Sequence, residues 1–285
     1  MRLIDAHHHL WDLSVRDQDW ITGEAMAPLR RDFSPADLAA EPGTGELTAT
    51  VVVQTVTVPG ETPELLALAD SAEGRLIAGV VGWLDLTDPG VTDALAALRE
   101  RPGGRYLVGI RHQVQQEPDP RWLLRPDVAR GLAAVAAAGL AYDLVILPHQ
   151  LPAAVEAAAR YPGLTFVLDH LGKPPIASGE IRDWAADLRR LAALPNTVCK
   201  LSGMVTEADW RRWRVADLRP YAQTAIEAFG PERLMFGSDW PVCRLAASWE
   251  RVLATARELT AGLGPAEREA VFGGTAERVY RLSAR

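Results

Sequence analysis

Residues 139–174 read GLAYDLVILPHQLPAAVEAAARYPGLTFVLDHLGKP. Two nearly continuous apolar runs, Leu140–Ile146 and Leu164–Asp169, flank Leu151–Tyr161, where Ala and Leu recur at helical spacing. Strands without polar alternation are covered on both faces, so the segment predicts two parallel strands joined by a helix rather than a half-exposed hairpin. Gly139 suits the end of a preceding helix.

The same alternation runs outward to both ends. Strands are predicted at Arg2–Ala6, Ala49–Gln54, Leu76–Trp83, Tyr106–Arg111, Leu140–Ile146, Leu164–Asp169, Thr197–Ser202 and Arg233–Ser238. Helical patterns fill the gaps at Pro63–Glu73, Val91–Glu100, Pro126–Ala138, Leu151–Tyr161, Ile181–Leu194, Val215–Phe229 and Ala247–Leu259, with Pro265–Leu282 closing the chain. Ser34-Pro35 and Gly264-Pro265 place proline where a helix starts. Alternating βα units specify a parallel sheet, and eight of them close most naturally into an α/β fold, the (β/α)8 TIM barrel, as a single domain over residues 1–285. A doubly wound open sheet would announce itself by a Gly-rich turn after the first strand, and none is there. The longest gap, Asp12 to Thr48, contains Trp20, Pro28, Arg30 and Arg31 and reads as an active-site loop plus a helix.

Composition agrees. The 285 residues lie near the ~250 typical of one such barrel. A net charge of −7 with no basic tract argues against nucleic acid as a partner. MRLIDAHHHLWD lacks the apolar core of a signal peptide, and no run approaches the ~20 apolar residues of a membrane span, so a cytoplasmic protein with no membrane partner is expected. Cys199 and Cys243 are too few for a disulfide framework.

Four residues stand where barrel enzymes keep their chemistry, at the C-terminal ends of strands. His7 and His9, two apart in an extended chain, share a face while His8 takes the other. Side-by-side imidazoles are costly if either is protonated, so the pair calls for a metal, a carboxylate or a substrate. A tag remnant would not be embedded between a strand and Leu10-Trp11-Asp12. His170 follows the sixth strand and Asp239 the eighth, and together with His7 and His9 they are expected to converge.

Arg111, a planar fork of donors at the end of strand four, is expected to recognise a substrate carbonyl or carboxylate, with a salt bridge as the alternative. His112 is read as orienting substrate or packing beneath it. Gln54, Trp83, Asp143 and Lys200 lie on strands two, three, five and seven and are candidates to line the pocket. Trp11, Trp20 and Trp240 lie near strand ends, where an indole face can stack on a substrate ring. His149, Lys173 and Cys243 have alternative readings: a fifth-strand ligand or a helix start, a substrate contact or a loop tie, a pocket contact or packing.

Asp-x-His-x-His on strand one, a histidine after strand six and GSDWP after strand eight resemble the amidohydrolase superfamily over nearly the whole chain. IDAHHHLWD, VVVQ, GVVGWLDL, GIRH, WLLRPDV, YDLVI, FVLDHLGKP, KLSGM and MFGSDWP are similar to its branch of sugar-lactone hydrolases, which includes those acting on L-fuconolactone, L-rhamnonolactone and 2-pyrone-4,6-dicarboxylate. The resemblance implies metal-ligand or metal-analogous roles for His7, His9 and His170, and proton transfer by Asp239. The lysine that bridges two metals in binuclear relatives is not evident on strand four, which ends in Gly-Ile-Arg-His. At most one divalent ion is expected, Zn²⁺ foremost, with metal-free catalysis as the competitor.

The expected reaction is hydrolysis of a small sugar-acid lactone, with Asp239, His170 and Arg111 catalytic and Arg111, His112, Gln54, Trp83, Lys200 and Trp20 contacting substrate. No G-x-S-x-G elbow supports a serine acyl-enzyme. A metal-dependent decarboxylase and a catalytically silent sugar-binding barrel are the alternatives. The identity of the lactone and the oligomeric state, a homo-oligomer included, are left open.

Overall fold

The computed structural model describes residues 2–282. Eight strands run in chain order around one sheet, each parallel to the next: β1 (Leu3–His8), β2 (Leu47–Val53), β3 (Ile77–Gly82), β4 (Leu107–His112), β5 (Ala141–Leu144), β6 (Phe166–Leu168), β7 (Thr197–Leu201) and β8 (Leu234–Phe236). Closure is made just past β8. The Asp239 amide donates to the His7 carbonyl at 2.8 Å, and the His9 amide donates to the Trp240 carbonyl at 2.7 Å. These bonds satisfy the sheet edges that an open sheet would leave exposed, and the chain is a (β/α)8 barrel.

The helices α1 (Pro35–Ala40), α2 (Glu61–Asp70), α3 (Val91–Glu100), α4 (Pro126–Ala137), α5 (Leu151–Arg160), α6 (Arg182–Ala192), α7 (Val215–Phe229), α8 (Trp249–Leu259), α9 (Pro265–Glu269) and α10 (Thr275–Tyr280) form the outer layer. Ser34 starts α1 with a capping box, its hydroxyl accepting from the Asp37 amide while the Asp37 carboxylate accepts from the Ser34 amide. None of the helices among the described residues is long and apolar enough to cross a membrane.

Ile4, Ala6, Val51, Val53, Val81, Ala141, Val167, Val198 and Met235 form an apolar layer, with Ala276 and Tyr280 of α10 packed against it. Two residues further along four of these strands the side chains turn polar: Asp143, Asp169, Lys200 and, after Gly109, Arg111. The charged layer lies directly beneath the C-terminal mouth, so the barrel carries a dry base and a polar floor to its site.

Strand boundaries differ from the sequence reading, most at β5, which spans only Ala141–Leu144, and at β6 and β8. β6 and β8 span only three residues each. After β6 the chain enters a left-handed turn, with positive φ at His170 (53°), Leu171 (55°), Gly172 (69°) and Lys173 (53°), and Asp239 after β8 has φ 58°. Strand dihedrals cannot continue through such residues.

Candidate active site

β1 delivers the first two histidines, but not by plain alternation. The Asp5 carboxylate accepts from Trp249 Nε1 of α8 at 2.9 Å, on the outer side of the strand. A register irregularity between Asp5 and His8 then lets His7 face inward although Ala6 does too. His8 turns outward, buried, with no partner for either ring nitrogen among the described residues.

His9 Nδ1 donates to the Val53 carbonyl at 2.8 Å, which leaves its Nε2 lone pair facing the barrel mouth. That nitrogen lies 3.2 Å from His7 Nε2 and 3.3 Å from Asp239 Oδ1. His170 Nε2 and His7 Nε2 are each 3.8 Å from the same carboxylate oxygen. The His170 ring is fixed from behind by the Ser202 hydroxyl, 2.8 Å from Nδ1. Gly203, at φ +64°, lies so close that a Cβ there would meet the ring at 2.6 Å. His7, His9, His170 and Asp239 therefore occupy one place in space.

Four of the five non-glycine αL residues among the described residues, His170, Leu171, Lys173 and Asp239, cluster here. Each costs roughly 1–2 kcal/mol, and the left-handed turn brings His170 and Lys173, three residues apart, to the lining of one cavity. Such strain persists only where the surroundings over-determine it.

Charge is distributed sharply. Burial, reinforced by Lys200, pushes the His7 imidazole well below its ordinary pKa. Burial likewise lowers His170 to about 4, against the pull of Asp239. Asp239 is raised by burial, but the His170, His9 and Lys173 charges and a His9 contact outweigh this and hold it below the usual carboxylate range. At neutral pH the site thus offers neutral His170 beside an ionised carboxylate.

His9, Arg111, His170 and Asp239 line a cavity of about 230 Å³ together with Trp20, Thr55, Gln113, Gln115, Lys173, Glu207 and Trp210. A wider groove of about 680 Å³ lies along Trp213 and Tyr221 and holds none of these four residues. The ligand atoms of His7, His9 and Asp239 lie within 4.8 Å of one another, as do those of His7, Asp169 and His170. Imidazole nitrogens and a carboxylate suit a divalent ion of borderline softness, and the carbonyl behind His9 orients it as a ligand. The donor set fits one such ion, while Arg111 Nη1, 3.4 Å from His7 Nε2, adds a competing positive charge.

Four residues expected to contact substrate do not line the cavity. Lys200 is fully buried below it, 2.6 Å from Asp143 Oδ2 and 3.0 Å from both His7 Nδ1 and Asp169 Oδ1. Gln54 is spent on Arg111, whose Nη2 donates to the Gln54 carbonyl and, at 2.9 Å, to Oε1. Trp83 Nε1 donates to His112 Nδ1 at 3.0 Å, His112 Nε2 reaches Glu117 at 2.7 Å, and the imidazole stacks on Trp122. Adjacent residues on a strand face opposite ways, so with Arg111 inward His112 points out. His149 is exposed at the start of α5 and is not a fifth-strand ligand. Trp11, Trp240 and Cys243 are buried away from the cavity, which leaves Trp20 as the aromatic from that group at its wall.

Arg111 makes the salt bridge weighed as the alternative, Nη1 donating to Asp169 Oδ2 at 2.9 Å, and its side chain is also among those lining the cavity. The sequence reading missed Glu207, Trp210, Gln113 and Gln115, which lie in loops after β7 and β4. Burial raises the Glu207 carboxyl, with Lys173, 3.7 Å away, opposing.

The family model described as Amidohydrolase matches residues 4–282. Over 290 residues the chain is 45% identical to an L-fucono-1,5-lactonase of Burkholderia multivorans, covering 98% of this chain and 96% of that protein. It is 38% identical to an L-fucono-1,5-lactonase of Burkholderia ambifaria, covering 98% and 95%. A crystal structure of an amidohydrolase from Burkholderia multivorans with bound Zn superposes with a TM-score of 0.91 at 43% identity, covering 99% of this chain and all of that one.

Proposed function

The chain belongs to the amidohydrolase family, and from that membership we propose that it is a lactonase opening a small sugar-acid lactone of the L-fucono-1,5-lactone kind. The observation carrying this reading is Asp239, a buried carboxylate held in its ionised form at the wall of a cavity that it shares with Arg111, His9 and His170.

Asp239 takes a proton from water as the oxygen attacks the lactone carbonyl. Arg111, oriented by Gln54 and Asp169, supplies positive charge where the carbonyl oxygen becomes negative. Asp239 then returns its proton to the departing ring oxygen, which completes hydrolysis to the open hydroxy acid. His170, neutral and fixed by Ser202, packs beside the carboxylate and keeps it oriented. Trp20 and Trp210 give apolar faces for the sugar ring, and Gln113, Gln115, Lys173 and Glu207 give donors and acceptors for its hydroxyls.

One divalent ion would be held by His7, His9, His170 and Asp239, with zinc favoured by the donor types and by the Zn-bound similar structure. When bound, such an ion adds Lewis-acid polarisation of the carbonyl.

Turnover of a panel of aldonolactones, followed with a pH indicator on enzyme as purified and after chelation, tests the proposal. Acid release from at least one member is expected. No release from any member, with CO₂ formed instead from an unsaturated carboxylate, would replace it by the decarboxylase reading.

A further inference from the structure

Apart from the imidazoles, the basic side chains at the cavity wall among the described residues are Arg111 and Lys173. Arg111 is engaged on all three guanidinium nitrogens, Nη1 donating to Asp169 Oδ2 at 2.9 Å, Nε to Gln54 Oε1 at 3.3 Å and Nη2 to the same oxygen at 2.9 Å. Its charge is matched by the Asp169 carboxylate. Lys173 is matched from the next loop, its Nζ 3.7 Å from Glu207 Oε1, with both side chains partly buried. The backbone builds this pair. Lys173 stands in the left-handed turn after β6, and the Ala177 amide just beyond it donates to the Glu207 carbonyl at 3.0 Å, which ties that turn to the loop after β7. That loop is itself braced, the Thr206 hydroxyl donating to the Gly203 carbonyl at 2.7 Å and Trp210 Nε1 to the Thr206 carbonyl at 2.8 Å.

We propose that Glu207 sets the charge class of the substrate: by neutralising Lys173 it leaves the cavity without a free cation, so the site takes uncharged sugar lactones and turns away lactones that carry a carboxylate. The inference rests on the lactonase reading and narrows it. A substrate carboxylate is recognised by an arginine or lysine whose charge is open to it. Here each of the two cations already faces a protein carboxylate, and the ionised Asp239 shares the same cavity. An added anion would meet repulsion with no compensating partner.

Two observations set this role above a structural one. A partly exposed ion pair at 3.7 Å adds little to stability, so holding the fold does not account for it. Burial and the Asp239 charge push the Glu207 carboxyl up, with Lys173 opposing. A carboxylate kept where burial disfavours its charge calls for a reason within the site. Binding sugar hydroxyls is not that reason, because an uncharged amide does so, and Gln113, Gln115 and Gln116 already line the wall. What a glutamine at 207 could not do is cancel the lysine.

The test compares wild type, Glu207→Gln and Lys173→Met/Glu207→Gln on two probes that differ at one terminal carbon: L-galactonolactone, which ends in an alcohol, and the same lactone with that carbon oxidised to a carboxylate. The pH is held well above the carboxylate range, so that Glu207 is ionised. Wild type is expected to favour the neutral lactone in kcat/KM by about 10- to 100-fold. In Glu207→Gln the freed lysine should shift that ratio toward the charged lactone by roughly tenfold or more. The double variant has no free cation and should stay near the wild-type ratio. A merely structural Glu207 would lower both rates alike and leave the ratio unmoved. Calorimetric titration with the two open acids, galactonate and galactarate, reads the same preference without turnover, and Glu207→Gln should gain about tenfold for the dianion over the monoanion. If no protein opens either lactone, the lactonase reading falls, and the calorimetric ratio alone decides the inference. A wild type that accepts the charged probe as readily as the neutral one, a ratio unchanged in Glu207→Gln, or an equal gain in the double variant overturns it.

Discussion

Replacing Gly203 by alanine isolates the placement of His170. A Cβ at this position would stand 2.6 Å from His170 Cγ and Nδ1 and 2.8 Å from its Cβ, where ordinary contact begins near 3.4 Å. The ring must shift by about 0.8 Å, which disturbs its contacts with the Ser202 hydroxyl and Asp239. Two costs add: roughly 1–2 kcal/mol for a non-glycine residue at φ +64°, and about 1–3 kcal/mol for overpacking. With about 2 °C per kcal/mol for a chain of this length, Tm should fall by roughly 4–10 °C. A displacement near 1 Å in a catalytic constellation costs on the order of 10² in rate, so kcat on an aldonolactone should drop by about that factor. Differential scanning calorimetry and indicator kinetics on the same preparation give both numbers. A Gly203→Ala enzyme with wild-type Tm and kcat would show that His170 is not braced against this glycine and would refute the reasoning.

Three further outcomes follow from the same structure. Trp83→Phe removes the donor to His112 outside the cavity, so thermal melting should show a loss of about 1 kcal/mol while KM stays within about twofold. Burial holds His8 down to about pKa 3 and His170 to about 4. Below about pH 6.5 the unfolded chain takes up protons that the folded one refuses, so stability should fall as pH drops from 6.5 towards 3, by on the order of a few kcal/mol per group. Urea unfolding across that range should show the decline, and His8→Phe should flatten part of it. Glu61→Gln weakens the buried carboxylate that accepts from the Thr55 and Val56 amides at 2.8 and 3.2 Å, and because Thr55 lines the cavity, KM should rise several-fold with kcat less affected.

The barrel was legible because its strands are apolar on both faces and its helices keep a 3.6-residue spacing. Convergence of His7, His9, His170 and Asp239 was legible because strand ends of a barrel share one mouth. What failed was depth and parity. Alternation already forbade Arg111 and His112 from both facing inward. Lys200 does face inward, as alternation allows, but one layer below the cavity, and depth depends on strand register, which no local pattern reveals. The bulge that turns His7 inward directly after the inward Ala6, and the left-handed His170–Lys173 turn, are backbone features fixed by tertiary contacts. Glu207, Trp210 and Gln115 come from loops, where periodicity carries no signal.

The central claim is that Asp239 moves the proton in lactone opening, and Asp239→Asn measures it most directly. The amide keeps the side chain's shape but cannot accept the proton from water. Steady-state kinetics on the best aldonolactone, with folding checked by thermal melting and binding measured separately with the open acid, should show kcat reduced by on the order of 10²–10⁴ and affinity largely kept. A folded Asp239→Asn enzyme turning over at the wild-type rate would contradict the account and shift the proton to a histidine.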